Sequence, residues 1–225
     1  MTPPAKNLVI LGARQHAKVL VAIIRECYPQ EFRIVGYLDD DPALAESCVL
    51  DLPVLGTIED LEKISQIHNI THVVLGISNR FLKLRHDLFN RVKKLGLALP
   101  SLIHKTAFVS PFADIGEGVV LNPGVVVNAF AKIGNNVVVY SNSTIEHETC
   151  LGNNVYIGPG VNFTSNTSVG ENTFIGAGSK IIPDIKIGSN VIVGAGSVII
   201  ADIPEGTTVA GVPAKIINSS RKSKI

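Results

Sequence analysis

From residue 102 to residue 203 an apolar side chain returns at every sixth position. Cut into sixes, this stretch gives 17 uninterrupted blocks, 102 residues in all. The second position of each block is Ile103, Val109, Ile115, Leu121, Val127, Ile133, Val139, Ile145, Leu151, Ile157, Phe163, Val169, Ile175, Ile181, Ile187, Val193 or Ile199, apolar throughout. The last position is often small or branched. A helix repeats near 3.6 residues and a strand near 2. A period of six fits one flat side of a three-sided coil, with about 18 residues per turn. Each inward aliphatic then stacks on its equivalent one turn above. Glycine and asparagine after the inward residue suit tight corners that need positive φ. An ordinary antiparallel β domain would not hold this register for so long.

Before residue 102 the pattern differs. Short apolar runs at 7–12, 32–40 and 72–78 read as strands. They alternate with stretches of helical period at 16–27, 58–68 and 80–96, with Pro29 beyond the first, Thr57 as N-cap of the second and Gly96 stopping the third. This alternation predicts a small parallel sheet with helices on both faces. The expected organisation is an α/β domain over 1–101 followed by a parallel β-helix domain with a C-terminal tail over 102–225.

Composition narrows the class. Lys plus Arg number 20 against 19 for Asp plus Glu, so the charge balance gives no support for a nucleic-acid partner. The basic stretch SSRKSK near the C-terminus reads as a solvated tail. Three cysteines, Cys27, Cys48 and Cys150, without a C-x-x-C pair argue against a disulfide framework or thiolate zinc site. The start lacks a signal peptide's charged region and cleavage site, and no apolar run has bilayer-spanning length. The expectation is a cytoplasmic protein with no membrane partner.

Candidate chemistry gathers at residues 144–149, TIEHET. His147 lies two positions after the inward Ile145, which directs its ring outward, and it stands between Glu146 and Glu148. It is the only histidine after His104. A carboxylate accepting from one ring nitrogen fixes the tautomer and strengthens the other nitrogen as a base. The alternative is a solvated surface histidine. Cys150 reads as a small structural residue, since no second histidine accompanies it. The repeats offer only His104 and His147 where a zinc site wants three ligands, so no metal is expected. In the first domain, GARQHA (12–17) sits where a strand runs into a helix, a place for a phosphate. Asp39 and Asp40 follow the second strand, either as acceptors for a ribose hydroxyl or base N–H or as an acidic turn before Pro42. Gly76 permits close backbone approach, and Asn79 is read as capping the next helix.

The hexapeptides resemble the left-handed parallel β-helix of acyltransferases. The segments SNSTIEHETCLGNNVYIGPGVNF, VGENTFIGAGSKIIPDIKIGSNVIVGAGSVI and VAGVPAKII are similar to bacterial sugar acetyltransferases. These comprise nucleotide-linked aminosugar N-acetyltransferases and sialic acid O-acetyltransferases. VILGARQH, GYLDDD and LGISNR resemble that family's small nucleotide-sugar-binding domain, so the likeness spans nearly the whole chain. It implies His147 as general base with Glu148 supporting it, and acetyl-CoA as donor in a groove between neighbouring subunits of a homotrimer. It places coenzyme contacts at Tyr156, Ala177 and Ala195. Tyr156 departs from the family, whose members commonly carry a second histidine there. Lys215 either pairs with a coenzyme phosphate or is a solvated lysine. The resemblance puts the nucleotide sugar at Gly12, Arg14, Gln15, His16, Asp39, Asp40, Gly76 and Asn79. The usual loop is G-A-S-G-H-G, so Arg14, Gln15 and Ala17 depart from it while His16 is kept. His16 reads either as a sugar-nucleotide contact or as a polar residue starting the helix.

Three readings result: N-acetylation of a nucleotide-linked 4-amino-4,6-dideoxysugar, O-acetylation of a sialic-acid-type sugar, or a non-catalytic binding trimer.

Overall fold

A computed structural model describes residues 4–217, so the basic tail lies outside the described residues. The chain divides into two compact units, Met1–Leu102 and Ile103–Ile225.

The first unit is built on three parallel strands. β1 (Lys6–Leu11) is central, between β2 (Phe32–Leu38) and a strand at His72–Leu75. α1 (Gln15–Cys27) follows β1 and buries Leu20, Val21, Ile23 and Ile24. A small hairpin of β3 (Cys48–Val49) and β4 (Leu52–Pro53) follows β2 and was not foreseen. It explains Gly36, where an added Cβ would lie 2.5 Å from the Pro53 carbonyl oxygen. α2 (Leu61–Ile67) starts from a turn at Thr57. The Asp60 carboxylate accepts from the Thr57 amide (2.9 Å) and hydroxyl (2.7 Å), which ties down the helix start. β5 (His72–Leu75) leads through a short 3-10 turn, Asn79–Phe81, into α3 (Leu82–Lys94). Gly96, at φ 71°, then ends the helix. Val9 and Leu11 of β1 share one core with Leu61 and Ile64 of α2 and Leu88 and Val92 of α3. Alternation along the strand sends Leu8 and Ile10 to the opposite face, also fully buried.

The second unit is a parallel β-helix of about six turns. Its two-residue strands form three sheets, each pairing residues 18 apart, as in Val127↔Ile145, Ile133↔Leu151 and Val139↔Ile157. The inward column is buried from Leu121 to Val209. Each such aliphatic contributes about 1.5–3 kcal/mol by leaving water. The sixth position of each block also faces in, which is why it is small or branched: Val125, Val137, Thr149, Val155 and Ser179 are all fully buried. Buried hydroxyls there close onto backbone carbonyls, as Ser143 does on Gly158 at 2.9 Å.

The corners carry the polar lattice. Asn136 donates to Asn154, and Asn154 to Asn172, each at 2.8 Å, forming a ladder along one edge. These asparagines hold φ of 56–57°, which few other residues adopt without strain. Asn154 therefore serves twice, as donor and as αL corner. We expect Asn154→Ala to lower stability by about 1–3 kcal/mol, since it removes both rungs of the ladder, one of them buried, and puts Ala at a left-handed corner. Chemical denaturation monitored by circular dichroism measures it.

Candidate active site

His147 and Glu148 form one corner of the solenoid, between the strand Thr144–Ile145 and the strand Cys150–Leu151. Ile145 points in at 0% exposure, and His147 is exposed. The corner is held from both sides. Glu148 N–H donates to the Ala129 carbonyl of the preceding coil (3.3 Å), and the His147 carbonyl accepts from Asn166 N–H of the following one (3.1 Å). Glu148 has φ 59°, a conformation the other corners assign mainly to Asn, Gly or Asp. Such strain persists where the surroundings over-determine it and clusters at functional sites. Glu148 Oε2 lies 3.8 Å from His147 Nδ1. That is ion-pair distance, too long for a hydrogen bond that would fix the tautomer. Glu146 turns instead to the His147 amide N–H, at 3.4 Å.

Ala177 and Ala195 come together. They hold equivalent corners of successive coils, with Gly196 N–H donating to the Ala177 carbonyl at 2.8 Å. Both alanines are exposed, and at Gly178 and Gly196 beside them an added Cβ would meet nothing within 4 Å. One coil earlier in each case, Gly158 and Gly176 are needed for coil stacking, because a Cβ there would lie 2.7 Å and 2.5 Å from the backbone nitrogens of Ala177 and Ala195. The result is a smooth edge of small residues with open space beside Gly178 and Gly196. This edge and the His147 edge flank the same face, the one bearing Thr144, Asn162 and Lys180.

Tyr156 does not join either edge. It lies on another face, only 5% exposed, and its hydroxyl donates to the Tyr140 hydroxyl at 3.0 Å. Its ring packs against Tyr140 and Phe174, with centroids 5.5 Å and 6.2 Å away. Lys215 is exposed on the terminal strand Ala214–Ile216, opposite Ala210.

In the first unit the loop after β1 meets the loop after β5. An added Cβ on Gly12 would lie 2.9 Å from Ile77 Cδ1, and one on Gly76 would lie 2.8 Å from the Gly12 carbonyl oxygen. Asp39 stiffens this meeting point, accepting from Ala13 N–H (2.7 Å) and Asp41 N–H (2.9 Å). Asp40 accepts from Ile58 N–H at 2.8 Å. Both aspartates thus organise backbone. Arg14 is the N-cap residue of α1 and pairs with Asp41, and Gln15 beside it is exposed. Asn79 is not a helix cap. Ser78 holds that place for the 3-10 turn and Phe81 for α3, because the turn inserted between β5 and α3 moves the helix start downstream.

His16 is 4% exposed, beneath this loop. Burial pulls its pKa down to about 3, and the Arg85 charge adds to the effect. It is therefore a neutral, interior residue rather than a surface contact. Arg85, 1% exposed, donates to the carbonyls of Leu75 (3.3 Å) and Ile77 (2.8 Å) and so holds the loop after β5. The sequence reading missed Arg85 and Asp41. Arg85 shares a helical stripe with Leu88 and Val92, and that spacing was the available signal for a buried arginine.

Among known families, the PglD N-terminal domain matches residues 7–92, and the bacterial transferase hexapeptide (six repeats) matches 130–165 and 166–201. No curated protein sequence matches. Several solved structures do. A histidine-to-alanine variant of GDP-perosamine N-acetyltransferase from Caulobacter crescentus, in complex with CoA and GDP-perosamine, is 33% identical. The match covers 95% of this chain and 97% of that one at TM-score 0.87. The acetyltransferase domain of PglB from Neisseria gonorrhoeae FA1090, in complex with acetyl coenzyme A, is 34% identical over 95% and 100% of the two chains, TM-score 0.86. WeeI from Acinetobacter baumannii AYE is 25% identical over 95% and 100%, TM-score 0.84. A PglD-type domain followed by a hexapeptide solenoid is the construction all of this describes. The chain belongs to the hexapeptide-repeat nucleotide-sugar acyltransferases.

Because the folded pKa of His16 lies below its unfolded value, the neutral ring favours the native state at neutral pH. That contribution is complete above about 6.5 and is lost as pH falls from there towards 3. We expect wild type to lose about 1 kcal/mol more stability between pH 7 and pH 5.5 than a His16→Gln variant does. Denaturant titrations at the two pH values check this; equal slopes would place the histidine in contact with water.

Proposed function

We propose that the protein is an acetyl-CoA-dependent N-acetyltransferase acting on a nucleotide-linked 4-amino-4,6-dideoxysugar. The observation that carries this reading is the exposed His147–Glu148 corner, held in a strained turn, in a chain that matches the Caulobacter crescentus enzyme over 95% of its length. The same relative was crystallised with CoA and GDP-perosamine, and the Neisseria domain with acetyl coenzyme A. The smooth edge at Ala177 and Ala195 suits an extended pantetheine arm, because its small residues leave room for a chain to lie along the coils.

Acetyl-CoA supplies the acyl group as a thioester. His147 takes a proton from the acceptor amine as the nitrogen forms its bond to the thioester carbonyl carbon. Glu148 stabilises the imidazolium through the 3.8 Å approach. Backbone N–H groups of a coil corner stabilise the oxyanion. When the carbon–sulfur bond breaks, His147 returns the proton to the departing thiolate. No acyl-enzyme is required, and Cys150 takes no part. Gly12, Arg14, Gln15, Asp39, Asp40, Gly76 and Asn79 hold the nucleotide sugar, with His16 supporting their loop from beneath.

The two edges favour a shared site. His147 and the Ala177–Ala195 edge lie on opposite sides of one face, so a second copy that brings its small-residue edge to His147 completes the cleft. A closed ring of three copies satisfies this for every protomer. Sedimentation velocity is expected to give three times 23.9 kDa; a monomer at assay concentration would remove the shared cleft.

His147→Ala is expected to lower kcat by about 10²–10⁴-fold, with little change in KM for acetyl-CoA, in a free-CoA release assay with a panel of aminosugar nucleotides. Near-wild-type turnover would show that another group takes the proton. The product should resist hydroxylamine, as an amide does and an ester does not.

A further inference from the structure

The corners that precede His147 along its edge carry two side chains that the acyl-transfer chemistry leaves unexplained. Phe112 and Phe130 occupy equivalent positions in the two coils before the His147 corner, linked by Phe130 N–H to the Phe112 carbonyl at 3.1 Å. Both rings lie in the open, 67% and 59% exposed, and they pack on each other at 5.8 Å between centroids. Phe130 has φ 63°. Among the described solenoid residues with positive φ, every other one is Asn, Asp or Gly, except Glu148 in the candidate active site. The two exceptions are neighbours, since Glu148 N–H donates to the carbonyl of Ala129, the residue beside Phe130. An aromatic at a left-handed corner gains nothing for the fold there: it neither fills the interior nor suits the turn.

The geometry points to a substrate role: we infer that Phe130, backed by Phe112, is the subsite that reads the apolar side of the acceptor sugar, including its C6 methyl. The inference rests on the proposed function. In a ring whose copies stand level along the solenoid axis, the donor edge at Ala177 and Ala195 belongs to coils after that of His147, and the phenylalanines belong to coils before it. The side of the base left for the acceptor is therefore the aromatic one. A 6-deoxy sugar presents a methyl and ring C–H groups, which pack on an aromatic face, whereas a 6-hydroxyl would have to shed water against it without a partner.

Phe130→Asn is the informative variant, because Asn suits the corner while removing the ring. The assay is CoA release with GDP-, UDP- and dTDP-linked 4-amino-4,6-dideoxyhexoses and their 6-hydroxy counterparts. We expect wild type to prefer the 6-deoxy acceptor by about 10-fold or more in kcat/KM, and Phe130→Asn to remove most of that preference. KM for acetyl-CoA should stay unchanged and the unfolding temperature should hold or rise. Phe112→Ala should show the same trend more weakly. If the preference survives Phe130→Asn, the inference fails and the functional reading stands. If the variant alters the sedimentation coefficient or lowers the unfolding temperature, the aromatic pair is a contact between copies and the inference fails. If wild type releases CoA with none of the sugars, the functional reading fails and takes the inference with it.

Discussion

The interaction on which everything else rests is the stacking of each coil on the one 18 residues before it. Parallel pairing across three sheets fixes the height of every residue, and the inward aliphatics fix which side faces the core. A one-residue slip would turn the whole inward set out to water. The asparagine ladder from Asn136 to Asn172 adds a second, polar register along a different line. With both in force, a corner cannot drift along the axis or rotate about it. That rigidity lets an exposed histidine be aimed without being buried.

It also explains how a strained residue is tolerated. Glu148 and Phe130 occupy left-handed corners that Asn or Gly would fill more easily. The backbone hydrogen bonds of the coils on either side set the turn regardless of the side chain it carries. The solenoid thus separates the two demands: the register decides the conformation, and chemistry decides the residue. Glu148 keeps its carboxylate 3.8 Å from His147 at the same corner, so the left-handed turn and the charged neighbour come together.

Much of this was legible beforehand, and the reasons differ by element. The solenoid was visible because each inward position is dictated by its equivalents 18 residues away, leaving a periodic mark. The parallel sheet of the first unit was visible through β1, β2 and β5, whose apolar runs are short and bounded by turn residues. The hairpin at Cys48–Val49 and Leu52–Pro53 left no such mark, because two-residue strands are specified by contacts with Gly36 rather than by their own pattern. Within the candidate site, His147 and Glu148 stood out by position. The burial of Tyr156 did not, because it points off the inward lattice and its partner hydroxyl on Tyr140 comes from the preceding coil. His16 reads from sequence either as a sugar-nucleotide contact or as a polar residue starting the helix; its burial near the Arg85 charge involves residues far apart in the chain.

The uniform coil spacing has a consequence for how the solenoid can change in length. Successive corners lie about 4.8 Å apart, the ordinary distance between paired strands, so Phe112, Phe130 and the His147 corner stand at even steps along one edge. Duplicating or deleting one coil would move one corner past another by one such step while leaving every turn intact. The length of the solenoid and the residues at its corners are therefore separable: rungs can be added or removed without changing what any one corner carries.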